Sequence, residues 1–159
     1  MVAALCMLCA APQVCFSIDV LETLSLDNRW PDASVDNLAS RESELYFANG
    51  NFLLIMDSGS FTEISRIEIR FPQDSQTTPL SRGITGIAAD PNPDRDYVYL
   101  ACGAQGIAVV DVSDPNNPEI ESTLAEDPEL DAIHASDVDY DASTQRLYVA
   151  DVYYGLRCI

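Results

Sequence analysis

Apolar positions along this chain come in short runs, not at helical spacing. No long stretch repeats apolar residues at i, i+3, i+4 and i+7, the spacing that one buried helix face requires. Runs rich in Val, Ile, Leu, Tyr and Phe are instead broken by clusters of Pro, Asp, Asn and Gly, which predicts short strands joined by tight turns. The strongest turns are Asp90-Pro-Asn-Pro-Asp-Arg-Asp96 and Asp114-Pro-Asn-Asn-Pro118. In both, Pro fixes φ and removes a ladder donor, while Asp and Asn side chains accept from the turn backbone.

The runs recur. Leu45-Tyr-Phe-Ala-Asn-Gly-Asn-Phe-Leu-Leu-Ile-Met-Asp57 lines up with Val98-Tyr-Leu-Ala-Cys-Gly-Ala-Gln-Gly-Ile-Ala-Val-Val-Asp111 and with Leu147-Tyr-Val-Ala-Asp-Val-Tyr-Tyr-Gly-Leu-Arg-Cys-Ile159. Tyr46 and Tyr99 are 53 residues apart, and Tyr99 and Tyr148 are 49 apart. The middle unit divides into strands at Gly83–Ala89, Tyr97–Cys102, Gly106–Val112 and Glu119–Leu124. Four short antiparallel strands in about 40–50 residues make one blade of a β-propeller. A single blade leaves both faces bare, so blades come in packed series. The fold expected is all-β: an incomplete propeller over 18–159, with units near 34–70, 83–124 and 134–159. Ile159 stops one residue before the counterpart of Asp111, so the last unit is cut and the chain is expected to be a fragment.

Ile107-Ala-Val-Val-Asp-Val-Ser-Asp-Pro115, with the Asn/Pro turn after it, resembles the LVIVD repeat. Leu147-Tyr-Val-Ala-Asp151 with Gly155-Leu-Arg-Cys-Ile159 is similar to the first half of that repeat. The first unit departs from it, with Asp57-Ser-Gly-Ser-Phe61 where the second has Asp111-Val-Ser-Asp-Pro115. The resemblance implies a propeller of a surface or secreted protein. It implies no shared catalytic residue, because sites are grafted onto folds and not fixed by them.

The N-terminus fits that setting. Residues 2–11 are apolar and uncharged and are followed by Pro12. That length suits the core of a signal peptide over 1–17 and is too short to span a bilayer. A basic leader segment is missing, since the first Arg is Arg29. Cys6 and Cys9 have a metal-like spacing without a second pair or a nearby His, and Cys102 and Cys158 fall inside predicted strands as buried free thiols, with a disulfide between them as the alternative.

Charge narrows the partners. Asp and Glu number 26 against 8 Lys and Arg, for a net charge of -18, and all eight cations are Arg. Such a surface repels phosphate backbones, so nucleic acid is excluded as a partner. Protein or glycan partners fit, as does self-association if the chain is complete.

Specific chemistry is sparse. No Gly-x-Ser-x-Gly, P-loop or His-Glu-x-x-His motif occurs. Asp137-Val-Asp-Tyr-Asp141 opens like a calcium loop, but Ala142 and Tyr148 stand where Gly and Glu are needed. His134 is the sole His, and with Asp137 it is the candidate contact for a divalent cation; no other cofactor is expected. Tyr153 and Tyr154 fall in the loop between the second and third strands of their unit and are the candidate partner contact. The expected role is binding by a secreted or cell-surface propeller without a catalytic motif. The alternative is a piece of a propeller enzyme, of metal-dependent hydrolase or lactonase type, whose site needs further blades.

Overall fold

The structure, a computed structural model, describes residues 35, 37–73, 76–79, 83–92, 94–127 and 131–159. The expected leader at 1–17 and the three cysteines up to Cys15 lie outside the described residues. The first sheet contains β1 (Leu38–Arg41), β2 (Glu44–Asn49), β3 (Phe52–Asp57) and β4 (Glu63–Glu68), antiparallel and in chain order. A hairpin of β5 (Arg70–Gln73) and β6 (Gln76–Pro79) follows. The second sheet repeats the order with β7 (Gly86–Ala89), β8 (Tyr97–Ala101), β9 (Ile107–Asp111) and β10 (Glu119–Leu124). A second hairpin, β11 (Glu126–Asp127) and β12 (Asp131–Ala132), leads to a sheet of β13 (Ala135–Asp141), β14 (Arg146–Asp151) and β15 (Gly155–Cys158). No helix occurs among the described residues.

Two features differ from the sequence pattern. The first strand of the second unit begins at Gly86, not Gly83, because Gly83 has a φ of 76° and Ile84 N–H turns to Gly50 O, at 2.8 Å, in the first sheet. The two hairpins were not expected. Both occupy the link between one sheet's last strand and the next sheet's first, where Pro72, Pro79 and Pro128 argue against strands.

Period-two alternation gives the inner strands two apolar faces. On β2 and β3, Tyr46 and Ala48 pair with Ile55 and Leu53 on one face, while Leu45 and Phe47 pair with Met56 and Leu54 on the other. The first face meets Val98, Leu100, Ala108 and Val110 of the second sheet in the largest core. The second sheet's opposite face, with Ala101 and Ile107, meets Val138, Leu147 and Val149 of the third. Contacts between sheets concentrate on β1, β2, β7, β8 and β13, so the first strands lie side by side at the inner edge. This is the arrangement of successive propeller blades.

Polar ties lock the blades in series. The Arg41 guanidinium is bonded to Asp96 at 2.5 Å and to Arg95 O at 3.0 Å, joining the first blade to the β7–β8 turn of the second. From the same turn Arg95 donates to the Tyr140 hydroxyl at 3.2 Å, and Tyr140 stacks on Tyr99 with centroids 4.7 Å apart. At the opposite end of the sheets, Gly103 N–H donates across the seam to Ala135 O at 3.0 Å. Asp57 and Asp141 cap the exposed turns; the Ser143 and Thr144 hydroxyls hold the Asp141 carboxyl down to about 2.

Candidate functional site

The β14–β15 turn is organised by one buried carboxylate. Asp151 accepts N–H bonds from Tyr153 (2.9 Å), Tyr154 (3.1 Å) and His134 (3.1 Å). It also forms an ion pair with Arg157 at 2.9 Å, the two side chains being 0% and 4% exposed. Burial alone would push the Asp151 carboxyl up, but the three N–H donors and Arg157 outweigh it, and the group lies below the ordinary carboxylate range. Arg157 completes the turn by donating to Ala132 O at 3.3 Å and lying 4.7 Å from the Tyr154 ring centroid. The backbone from Val152 to Tyr154 is therefore held while its side chains face outward. Tyr153 is 71% and Tyr154 54% exposed.

Beside this turn a cleft of about 290 Å³ opens between the second and third blades, lined among others by Thr85, Gly103, His134, Ser136, Val152 and Tyr153. His134 meets the Tyr153 ring edge-on at 4.6 Å, and its Nδ1 is buried with no hydrogen-bond partner among the described residues. Asp137 is not part of the lining. Its carboxylate accepts from Val138 N at 2.9 Å and lies against Gly86, where a Cβ would collide with Asp137 Cα at 2.7 Å. His134 and Asp137 thus have different surroundings, and no group of three or more His, Cys, Asp or Glu suited to a metal occurs among the described residues. The structure brings the sequence candidates His134 and Tyr153 into contact at this cleft, with Tyr154 next to them on the turn. Thr85, Gly103 and Ser136, which the seam assembles from separate turns, and the Asp151–Arg157 pair beneath them have no signal in the sequence. A second cavity of about 300 Å³ lies on the same seam, lined by Tyr99, Tyr140, Arg95, Leu124, Leu147 and Ile159.

The two described cysteines are free thiols with opposite settings. Cys102 is 1% exposed, and burial pushes its thiol up to about 12. Cys158 is exposed, which corrects the expectation of a buried thiol: β15 turns it to the face away from the second blade. Iodoacetamide at pH 8 is expected to label Cys158 in the folded protein and Cys102 only after denaturation, since the thiolate is the nucleophile. Peptide mapping reads both sites; folded-state labelling of Cys102 would contradict the packing described.

With the geometry in place, the second blade can be compared with known families. Residues 94–124 match the family model described as the LVIVD repeat. The second blade is similar to an LVIVD repeat. The repeat spans β8 to β10, so its Val-Val-Asp run is the strand whose one face fills the core between the first and second blades. Among solved structures, the chain is similar to the WD40 repeats of RRP9 (9% identity, TM-score 0.56, 74% of this chain and 34% of that one). It is also similar to U3-55K (9%, 0.58, 76% and 36%) and to a chain of the mitotic checkpoint complex (8%, 0.58, 78% and 35%). At such identities the likeness is of fold. It places the LVIVD unit and its neighbours in a β-propeller arrangement, of which this chain spans about a third of the solved chains' length. No curated protein matches the chain in sequence.

Proposed function

We propose that this LVIVD-repeat chain is a binding unit of a secreted or cell-surface propeller and engages a partner protein through the end of the sheets that carries the β14–β15 turn. The observation that carries the reading is the turn itself: two exposed tyrosines on a backbone fixed by Asp151, at the mouth of a cleft. Aromatic anchors held in place before contact lose little entropy on binding and dominate interface energetics. The charge of -18 opposes nucleic acid, and no helix among the described residues is long and apolar enough to cross a membrane. Against the hydrolase alternative stands the second blade, where Gly86 pairs with Ala101 as Asp137 pairs with Ala150, so the blades do not repeat a ligand.

The test is capture of the partner from the extracellular fraction of the source by wild-type protein and by a Tyr153→Ala/Tyr154→Ala double variant. Loss of at least about tenfold in capture, with an unchanged circular dichroism spectrum, is expected for the double variant. Equal capture by both proteins, or metal-dependent turnover of esters or lactones by the purified protein, would overturn the reading.

A further inference from the structure

We infer that the cleft between the second and third blades receives the guanidinium or ammonium group of a basic side chain on the partner polypeptide; this rests on the binding role above and names its chemistry. The Thr85 hydroxyl donates its proton to Ala135 O at 2.9 Å, and the Ser136 hydroxyl donates to Ala150 O at 2.8 Å. A hydroxyl has one proton and two lone pairs, so both oxygens are left as acceptors. Five backbone N–H groups around the cleft are committed: Thr85 to Ala101 O, Gly103 to Ala135 O, Val152 to His134 O, and His134 and Tyr153 to the Asp151 carboxylate. His134 Nδ1, buried and without a partner, is a further acceptor when Nε2 carries the proton. The Thr85 and Ser136 oxygens therefore offer lone pairs to the cleft, and no lining residue is Arg or Lys.

The complement of such a surface is a group rich in donors with no acceptor, and among protein side chains Arg and Lys carry the most such donors. The Tyr153 ring, 71% exposed, adds a π-face at the mouth. The neighbouring Tyr154 already shows this pairing with Arg157 at 4.7 Å. The charge of -18 draws cations toward the chain from a distance. Val152 and Leu156, 64% and 73% exposed, flank the turn and give apolar area for the residues on either side of the basic one. That area favours a polypeptide over a free amine.

The experiment is an NMR titration of the full chain with a pentapeptide carrying a central arginine. Its controls are the citrulline counterpart, which keeps the shape but loses the charge, and spermidine. Shift changes are expected to centre on Thr85, Gly103, His134, Ser136 and Val152. The citrulline peptide is expected to bind about tenfold more weakly. Tyr153→Leu is expected to weaken the arginine peptide about fivefold, and Tyr153→Phe to leave it unchanged, since Phe keeps the ring. Because Tyr153 is exposed, its variants fold. Shifts spread over the acidic turns at Asp94, Asp114 and Asp141 and indifferent to Tyr153→Leu would overturn the inference, leaving only general charge attraction. Spermidine bound in the cleft as tightly as the peptide would overturn the choice of a polypeptide. If the peptide fails while partner capture still depends on Tyr153 and Tyr154, the binding role stands and only the basic side chain is lost.

Discussion

Replacing Asp151 by Ala is expected to lower unfolding free energy by about 4 kcal/mol, because removing one partner of a buried pair strands the other charge. Three backbone donors lose their acceptor at the same time. The repeat supplies the control. By register, Cys102 and Ala108 of the second blade stand where Asp151 and Arg157 stand in the third: Leu100 pairs with Ala108 as Val149 pairs with Arg157. The double variant Asp151→Cys/Arg157→Ala copies the second blade and is expected to be more stable than Asp151→Ala alone, since no buried charge remains unpaired. The effect has a pH signature. The Asp151 carboxyl lies below its ordinary value in the folded state, so its contribution is complete above about pH 4 and is lost as pH falls through the folded value. Urea unfolding at pH 7 and pH 2.5 should therefore show a wide gap between wild type and Asp151→Ala that narrows in acid. A gap that is small at pH 7 would mean the pair does not hold the turn.

The second large effect belongs to Gly106. Its φ is 88°, a conformation that L residues resist, and a Cβ there would overlap Leu124 O and come within 2.9 Å of Ala125 Cα. Those atoms are backbone at the end of β10 and cannot swing aside. Gly106→Ala is expected to cost about 3–4 kcal/mol, the sum of left-handed strain and overpacking. Gly155 holds the same place in the third blade, with a φ of 78° and nothing within 4 Å of its Cβ position. Gly155→Ala should cost only the conformational part, about 1 kcal/mol. Thermal unfolding of the two variants separates the contributions. Equal losses would mean that β10 does not close over the β8–β9 turn.

This pair of glycines shows what the sequence makes legible. The spacing from Tyr99 to Gly106 and from Tyr148 to Gly155 exposes the repeat, and with it the strand order of each blade, because a period-two apolar run between turns has few other solutions. The LVIVD-like run at Ile107–Asp111 falls where it was expected. Side-chain contacts within a blade and across the seam were not legible. Asp151 reads as a polar end to a strand, and nothing local shows that it buries itself on Arg157. Thr85, Gly103 and Ser136 carry no motif, and only blade packing makes them neighbours. Cys158 was misplaced because alternation gives the two faces of a strand but not which of them meets another sheet. Tyr153 and Tyr154 were legible as a loop pair, while the hydrogen bonds that fix their backbone were not.

These sheets are successive blades packed face to face, with the site on a seam. Amide hydrogen exchange at two positions reads that packing. Ile84 N–H donates to Gly50 O at 2.8 Å and Gly103 N–H to Ala135 O at 3.0 Å, each bond linking one blade to the next. Neither belongs to a strand ladder within one sheet, so protection there reports blade packing alone. Both amides are expected to exchange as slowly as those of Leu54 and Val110 in the strand interiors. Exchange at Ile84 and Gly103 close to the unfolded rate, with the strand interiors still protected, would show sheets that fold without stacking and would contradict the account.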